Sequence, residues 1–339
     1  MLGLVICGIS ALALSRYLAI PKLQPLPPGE STPDCMVVIP ARDEQDFIAR
    51  AVSSLPHDTV IVVDDQSSDR TAEAARKAGA GVLPAPDLPR GAIGKANACL
   101  AGARLLNSNW ILFADADLCF APGFLESAIA SAEAGKVAFL SILPRAELVR
   151  WSETILFPYA QMLFFSAVAP RRDPAAAFNG QCLLARRDAY EFLGGHAAVM
   201  NSLVDDLKIA ALARRHRLAF GIARAEMLAH ARFREPRAAF RRAACRFMLV
   251  NFAIGAMLLL TASIWALWLP VLLWLIVIRE SAAAWIFGFA PMLAMLAWYR
   301  NVWRAIQAPL AIYLMLPIVY RSAAAALLGR PVEWKGRTI

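Results

Sequence analysis

The 339-residue sequence predicts an α/β protein tied to a membrane: a mostly parallel, Rossmann-like sheet set between an N-terminal anchor helix and C-terminal transmembrane helices. Three observations predict it. Short unbroken apolar runs alternate with segments of helical period over residues 36–140, the pattern of parallel strands covered on both faces. Acidic residues follow three of those runs, at Asp43, at Asp64 and Asp65, and at Asp115 and Asp117, and ligands of such sheets bind beyond the C-terminal ends of the strands. The composition is 59% apolar with a mean hydropathy of +0.50, and the excess is concentrated in residues 1–20 and 248–328.

Each element follows in order. Residues 2–20 are apolar except for Arg16 and lack both an early basic region and a small-residue cleavage site. They read as an uncleaved anchor with its N-terminus outside, because Arg16 and Lys22 follow the apolar core. The stretch is short for a full span, so a half-inserted helix is the alternative. Residues 21–34 hold five prolines (Pro21, Pro25, Pro27, Pro28, Pro33) and read as an extended tether. Then come strand 36–39, helix 44–55, strand 60–63, helix 71–78, strand 81–83, helix 93–106, strand 110–114, helix 124–134 and strand 137–140.

Residues 151–168 break the alternation with Trp151, Phe157, Tyr159, Phe164 and Phe165. Three readings stay open for them: a buried helix, a helix lying on a membrane surface to guide a hydrophobic acceptor, or a span. Residues 248–278, 282–298 and 305–328 are candidate spans, with a kink expected at Pro270. The tail, 329–339, carries Arg330, Lys335 and Arg337. A cytoplasmic tail requires an even number of crossings in this block, which three segments do not give, so one of them reads as re-entrant or interfacial. The domain plan is an anchor (1–20), a linker (21–34), a cytoplasmic α/β domain (35–247), a membrane block (248–328) and a basic tail.

The net charge of +9 is uneven. Ten arginines lie between Arg214 and Arg246, at the approach to the apolar block, which fits positive-inside topology and contact with anionic lipid heads. Nucleic-acid binding is not expected, since basic residues interleaved with aromatics and any known binding motif are missing. Six scattered cysteines form no C-x-x-C pair, which argues against a zinc site or a disulfide framework and fits a reducing compartment.

The chemistry resides in the acids. Asp115 and Asp117 are alternate residues of an extended segment, so their carboxylates can turn toward one ion. An all-oxygen site of that kind suits Mg²⁺ or Mn²⁺ and, through it, a diphosphate. The plainer reading is two solvated loop acids.

Four motifs follow one another: Val38-Ile39-Pro40-Ala41-Arg42-Asp43-Glu44, Val62-Val63-Asp64-Asp65-Gln66-Ser67-Ser68-Asp69-Arg70-Thr71, Gly94-Lys95-Ala96-Asn97 and Asp115-Ala116-Asp117. This ordered set resembles glycosyltransferase family 2 over residues 35–247. Further on, Asn179-Gly180-Gln181, the basic pair Arg186-Arg187 and the diglycine Gly194-Gly195 match it too. The apolar ends make the chain look like the membrane-bound lipid glycosyltransferases of that family, the hopanoid-biosynthesis-associated ones nearest. The resemblance implies the A-type nucleotide-sugar-binding fold and a divalent metal.

By the same resemblance, Asp65 accepts a hydrogen bond from the donor's base, Asp43 and Glu44 line base and ribose, and Lys95 faces the nucleotide or its phosphates. Asp117 ligates the metal, while Asp115 contacts sugar or ribose and shares the ion. In Val204-Asp205-Asp206-Leu207, Asp206 stands where the family has its catalytic base, and Asp205 orients it or caps the following helix. For Asp69 and Thr71, a helix-start role competes with a functional one; for Lys95, an exposed helix lysine does. Processive members carry Gln-x-x-Arg-Trp before their membrane helices. Here Ala243-Ala244-Cys245-Arg246-Phe247 keeps Arg246 as a candidate diphosphate contact but lacks the Gln, which speaks against polymer synthesis.

The resulting expectation is an inverting, metal-dependent transfer of one sugar from a nucleotide-sugar, a UDP-sugar foremost, to a membrane lipid. The site is the cytoplasmic face of the inner membrane. The alternatives are a non-catalytic nucleotide-binding membrane scaffold, and transfer to a polyprenyl phosphate. A nucleotidyl- or phosphotransferase is disfavoured, because no glycine-rich phosphate loop accompanies the first strand.

Overall fold

A computed structural model describes residues 1–29, 33–105, 107–202, 204–232, 240, 248, 251–328, 333–334 and 337–338. Among these, eight strands form one sheet: β1 (Cys35–Ala41), β2 (Val60–Asp64), β3 (Gly81–Pro84), β4 (Trp110–Ala114), β5 (Leu118–Phe120), β6 (Phe139–Ala146), β7 (Cys182–Arg186) and β8 (Phe220–Ala231). Their order is β3-β2-β1-β4-β7-β6-β8-β5. The first four are parallel, β7 runs antiparallel to both β4 and β6, β8 is parallel to β6, and β5 is antiparallel to β8. The parallel half thus coincides with the first four strands of the alternating stretch, while the last strand of that stretch, β6, falls in the mixed half.

Period-two packing builds the core. Val37, Ile39 and Val62 point to one face, toward α2 (Ile48–Ser53), α3 (Thr71–Lys77) and α5 (Phe124–Ala134). Val38 and Val63 point to the other, toward α4 (Gly94–Ala103), α7 (Arg187–Phe192) and α8 (Asp205–Arg215). That alternation is the strand pleat itself. The strand expected at 137–140 runs instead over Phe139–Ala146. Residues 137–138 finish the turn out of α5, where the Val137 N–H bonds the carbonyl of Ala132.

The apolar helices form a second core. They are α1 (Leu2–Leu18), α6 (Trp151–Ala167), α9 (Phe252–Ala266), α10 (Trp268–Val277), α11 (Ser281–Gly288), α12 (Ala290–Tyr299), α13 (Val302–Ala305) and α14 (Ala308–Leu327). Tyr159, Met162, Trp265, Met295 and Ile312 are buried together at its centre. Phe252–Val277, Ser281–Tyr299 and Ala308–Leu327 are each long and apolar enough to cross a membrane; Leu2–Leu18 is apolar but shorter. Pro270 lies in the first turn of α10, where its missing N–H costs little. Helix α6 packs on α1, α9, α12 and α14 and buries about half of its residues among them.

Two segments differ from their expected roles. The linker is extended but docked: Leu23 N–H bonds the Arg224 carbonyl at 2.9 Å, and Leu26 N–H bonds Ser127 Oγ at 2.9 Å. Gly123, at φ +79°, permits this, since a Cβ there would stand 1.9 Å from the Leu26 carbonyl oxygen. Arg224, counted in the basic cluster facing lipid, is 3% exposed. It bonds the carbonyls of Ile20 and Leu18 and Glu226 Oε1, and stacks over the Tyr17 ring at 4.6 Å. It therefore anchors the end of α1 to β8. Arg16 similarly caps the end of α6, donating to the carbonyls of Phe165 and Ser166.

Candidate active site

Strands β1, β2 and β4 are parallel, so the loops leaving their C-terminal ends emerge along one rim. Asp43, Asp65, Asp115 and Asp117 sit on those loops. The start of α8 brings Asp205 and Asp206 to the same rim, and the start of α4 brings Lys95. All of them, with Glu44, line a single cleft of about 1480 Å³. Arg246 and the surrounding 241–247 lie outside the described residues.

A hydrogen-bonded chain crosses the floor of the cleft. Lys95 Nζ donates to Asp115 Oδ1 at 2.6 Å and to the Gly180 carbonyl at 2.7 Å. The Gly180 N–H donates in turn to Asp206 Oδ2 at 2.7 Å. One residue, Gly180 just before β7, thus sets the distance between the acid pair and Asp206 through its two flanking peptides. The neighbouring peptide fixes the other side, where Asp115 N–H bonds the Gln181 carbonyl at 2.8 Å. Burial works against the charge of Lys95, but the carboxylates of Asp115 and Asp205 outweigh it and hold its pKa above the ordinary lysine value. Lys95 is therefore a fixed cation of this network rather than an exposed helix lysine.

The loops after β1 and β2 are stitched together. Ser68 donates through its N–H (2.7 Å) and its hydroxyl (3.0 Å) to Asp43 Oδ1. Asp43 N–H bonds Ser67 Oγ at 2.9 Å, and Glu44 N–H bonds Thr71 Oγ1 at 2.7 Å. Asp69 accepts from the N–H and hydroxyl of Thr71 and from the Gln45 N–H. Asp69 and Thr71 therefore hold both the start of α3 and the neighbouring loop. Asp43, with φ +52°, spends one oxygen on this stitching. Asp65 is 3% exposed, with Arg42 Nη1 at 3.2 Å from its carbonyl and 3.9 Å from Oδ2.

The acid pair fits a cation of one kind. Among the described residues, no three His, Cys, Asp or Glu side chains converge as a full ligand set. Asp115 and Asp117 present carboxylates to the cleft, and Lys95 holds one oxygen of Asp115. Two carboxylates, with the other positions left to phosphate oxygens and water, is how Mg²⁺ is held beside a nucleotide. The residues suit that arrangement and not an all-protein cage.

Away from the acids, the cleft is lined by the apolar helices: Tyr17 on α1, Phe157 and Phe164 on α6, and Trp298 on α12. Sequence reasoning missed this junction, because the three helices are far apart in the chain. It also missed Gly180, His196, and the pair Arg145 and His230. The last two are register partners on β6 and β8 that face the cleft near Asp117. Asn179-Gly180-Gln181 was visible as a motif, but nothing in it announced that the glycine backbone would bridge Lys95 and Asp206.

The sequence profile described as Glycosyl transferase family 2 matches residues 36–194. A 4,4'-diaponeurosporenoate glycosyltransferase of Staphylococcus haemolyticus (strain JCSC1435) is 41% identical over 96 residues, 26% of each chain. The same-named protein of Staphylococcus aureus (strain USA300) is 31% identical over 182 residues, covering 50% of this chain and 48% of that one. The chain thus spans half or less of the length of these relatives. A mannosyltransferase from Pyrobaculum calidifontis, solved in complex with GDP-Man and Mn²⁺, superposes with a TM-score of 0.53 at 17% identity. The match covers 97% of this chain and 100% of that one, and the shared fold is that of A-type glycosyltransferases.

Proposed function

Taking as premise that the chain is a family 2 glycosyltransferase, we propose that it transfers one sugar, with inversion, from a UDP-sugar to a lipid acceptor at the cytoplasmic face of the inner membrane. The observation that carries this reading is the continuity of one cleft from Asp65, Asp115, Asp117 and Asp206 to Tyr17, Phe164 and Trp298 on the apolar helices. A donor held by the acids and an acceptor held among the aromatics would share one chamber. The same-named staphylococcal relatives act, by their names, on a lipid-like acid.

The residues divide the work. Asp65, Asp43 and Glu44 bind the nucleoside. Asp115 and Asp117 would hold Mg²⁺ or Mn²⁺, which supplies charge neutralisation for the departing diphosphate. Lys95 keeps Asp115 oriented and compensates the crowding of carboxylates. Asp206 takes the proton of an acceptor hydroxyl as its oxygen attacks the anomeric carbon from the face opposite the diphosphate. Arg246 remains a proposed diphosphate contact. The arginines between 214 and 246 other than the buried Arg224 keep this face cytoplasmic.

One observation favours a second acceptor class. Both oxygens of Asp206 already accept N–H groups, Oδ2 from Gly180 and Oδ1 from Leu207, so an acceptor hydroxyl would have to share an oxygen that is already engaged. An acceptor ionised in advance, a lipid carboxylate or phosphate, needs no base. The test is transfer in lipid nanodiscs: the purified chain, radiolabelled UDP-sugars, Mn²⁺ and lipid extracts, read by mass spectrometry of the lipid phase. Sugar appearing on a lipid supports the reading. Donor binding without hydrolysis or transfer, for every donor tried, would leave the scaffold alternative.

A further inference from the structure

Behind Asp205 lies a buried chain of polar groups that the proposed mechanism does not use. The Tyr190 hydroxyl accepts the backbone N–H of His196 at 3.0 Å and lies 2.8 Å from His196 Nδ1. The one proton of the buried phenol needs an acceptor, and Nδ1 is the one the described residues place beside it, so the hydroxyl is assigned as the donor to Nδ1. The ring proton of a neutral His196 then sits on Nε2, which faces Asp205 Oδ2 at 3.7 Å. The other oxygen, Asp205 Oδ1, accepts the N–H of Asp206 at 3.1 Å. Through Asp206, Gly180 and Lys95 the chain continues to Asp115.

The assembly is closed to solvent and locked sterically. His196 is 2% exposed, Tyr190 4% and Asp205 5%. The Phe113 ring, on the strand that ends in the acid pair, packs on both aromatic partners, 4.6 Å from His196 and 5.1 Å from Tyr190. Gly195, at φ +53°, admits the Tyr190 ring; a Cβ there would lie 2.5 Å from it. Burial, partly opposed by Asp205, pushes the His196 pKa down to about 4, so the ring is neutral at neutral pH.

We propose that His196 is a positioning residue: held in its Nε2–H form by Tyr190, it directs that N–H at Asp205, which in turn fixes the first turn of α8 and aims Asp206 across the cleft at the acid pair. The inference rests on the transfer reading given above for its kinetic arm but not for its structural one. Asp205 is then a cap and an orienting group, not a second base.

The structural arm is ¹⁵N NMR of histidine-labelled protein in detergent. His196 is assigned by its loss in His196→Gln. The expected pattern is the neutral Nε2–H tautomer at pH 7; an Nδ1–H tautomer or an imidazolium overturns the proposal whether or not the chain is active. The kinetic arm compares His196→Leu, which removes both nitrogens, with His196→Gln, which returns a donor toward Asp205. Relative to wild type, His196→Leu lowers kcat by about 10–100-fold, the loss expected of a misaimed group, with donor KM within about twofold. His196→Gln recovers most of it. Equal losses in the two variants, or a kcat unchanged in His196→Leu, overturn the proposal. Where His196→Leu fails to fold, Tyr190→Phe serves instead, cutting the same chain by one oxygen. Its kcat is expected to fall with donor KM unchanged, and an unchanged kcat counts against the proposal.

Discussion

At one end of the cleft, Lys95, Asp115, the Gly180 backbone and Asp206 are joined by hydrogen bonds of 2.6–2.7 Å. At the other, Tyr17, Phe157, Phe164 and Trp298 meet chiefly by packing of helices from distant parts of the chain. The first kind of contact is directional and loses its worth within a fraction of an ångström. The second is non-directional and tolerates repacking when volume is kept. A site assembled from both assigns reaction geometry to the polar end and affinity for a greasy partner to the apolar one. Substitutions at the two ends should therefore separate into losses of kcat and losses of acceptor KM.

The largest break comes at the acids. Asp117→Ala is expected to lower transfer by at least about 10³-fold, since it removes several kcal/mol of charge stabilisation on the leaving diphosphate. Thermal unfolding should stay near that of wild type. Asp206→Asn is expected to cost about 10²–10⁴-fold if it acts as the general base. With a lipid carboxylate or phosphate as acceptor, the same variant should keep activity within about tenfold of wild type, and the two acceptor classes part on this number. Turnover by Asp117→Ala comparable to wild type would remove the acid pair from the reaction.

The two ends were not equally legible in the sequence. Asp43, Asp65, Asp115 and Asp117 stand directly after apolar strand runs, and parallel strands place such positions on one rim by geometry alone. Strands β5 and β8 were not anticipated. Leu118–Phe120 is too short to show a period, and Phe220–Ala231 is interrupted by Arg224, Glu226 and His230. Arg224 read as a surface cation, because nothing local reveals that it meets carbonyls of Leu18 and Ile20 some two hundred residues away. The aromatics of α6 were visible, but their partners on α1 and α12 are set by tertiary packing that no short window contains. The tail was read as basic and without strands, and its antiparallel pair Glu333–Trp334 and Arg337–Thr338 is too short to show a period.

A second, smaller effect sharpens the comparison from the polar side. His196 is neutral when folded because burial lowers its pKa to about 4 from the ordinary 6.5. The unfolded chain therefore binds more protons between those values, and stability rises with pH across that window. It is fully present above about pH 6.5 and is lost as pH falls toward 4, by roughly 3 kcal/mol in all. Glu147 and Glu226, whose pKa values are lowered by Arg50 and by Lys22, Tyr17 and Arg224, add losses of the same sign only below the ordinary glutamate range. Melting temperatures in detergent at pH 7, 6 and 5 should fall for wild type and stay nearly level for His196→Gln. Parallel curves for the two proteins would mean that His196 is not the group being titrated.

The smallest effect is expected at the apolar end, and it tests the division most directly. Phe157 and Phe164 line the cleft from α6, and their loss removes apolar surface without touching the Lys95–Gly180–Asp206 chain. Phe157→Ala and Phe164→Ala should each raise the KM for a lipid acceptor by about tenfold, the order of 1–2 kcal/mol of lost apolar contact. The kcat and the slow hydrolysis of donor without acceptor should hold. A short water-soluble acceptor analogue should be indifferent to both, because it never reaches the aromatic stretch. If either substitution instead lowers donor hydrolysis as far as it lowers lipid transfer, the two ends are mechanically one site, and the polar network depends on helix packing for its geometry. If neither changes the lipid KM, the acceptor approaches by another face, and the continuity of the cleft has no part in the reaction.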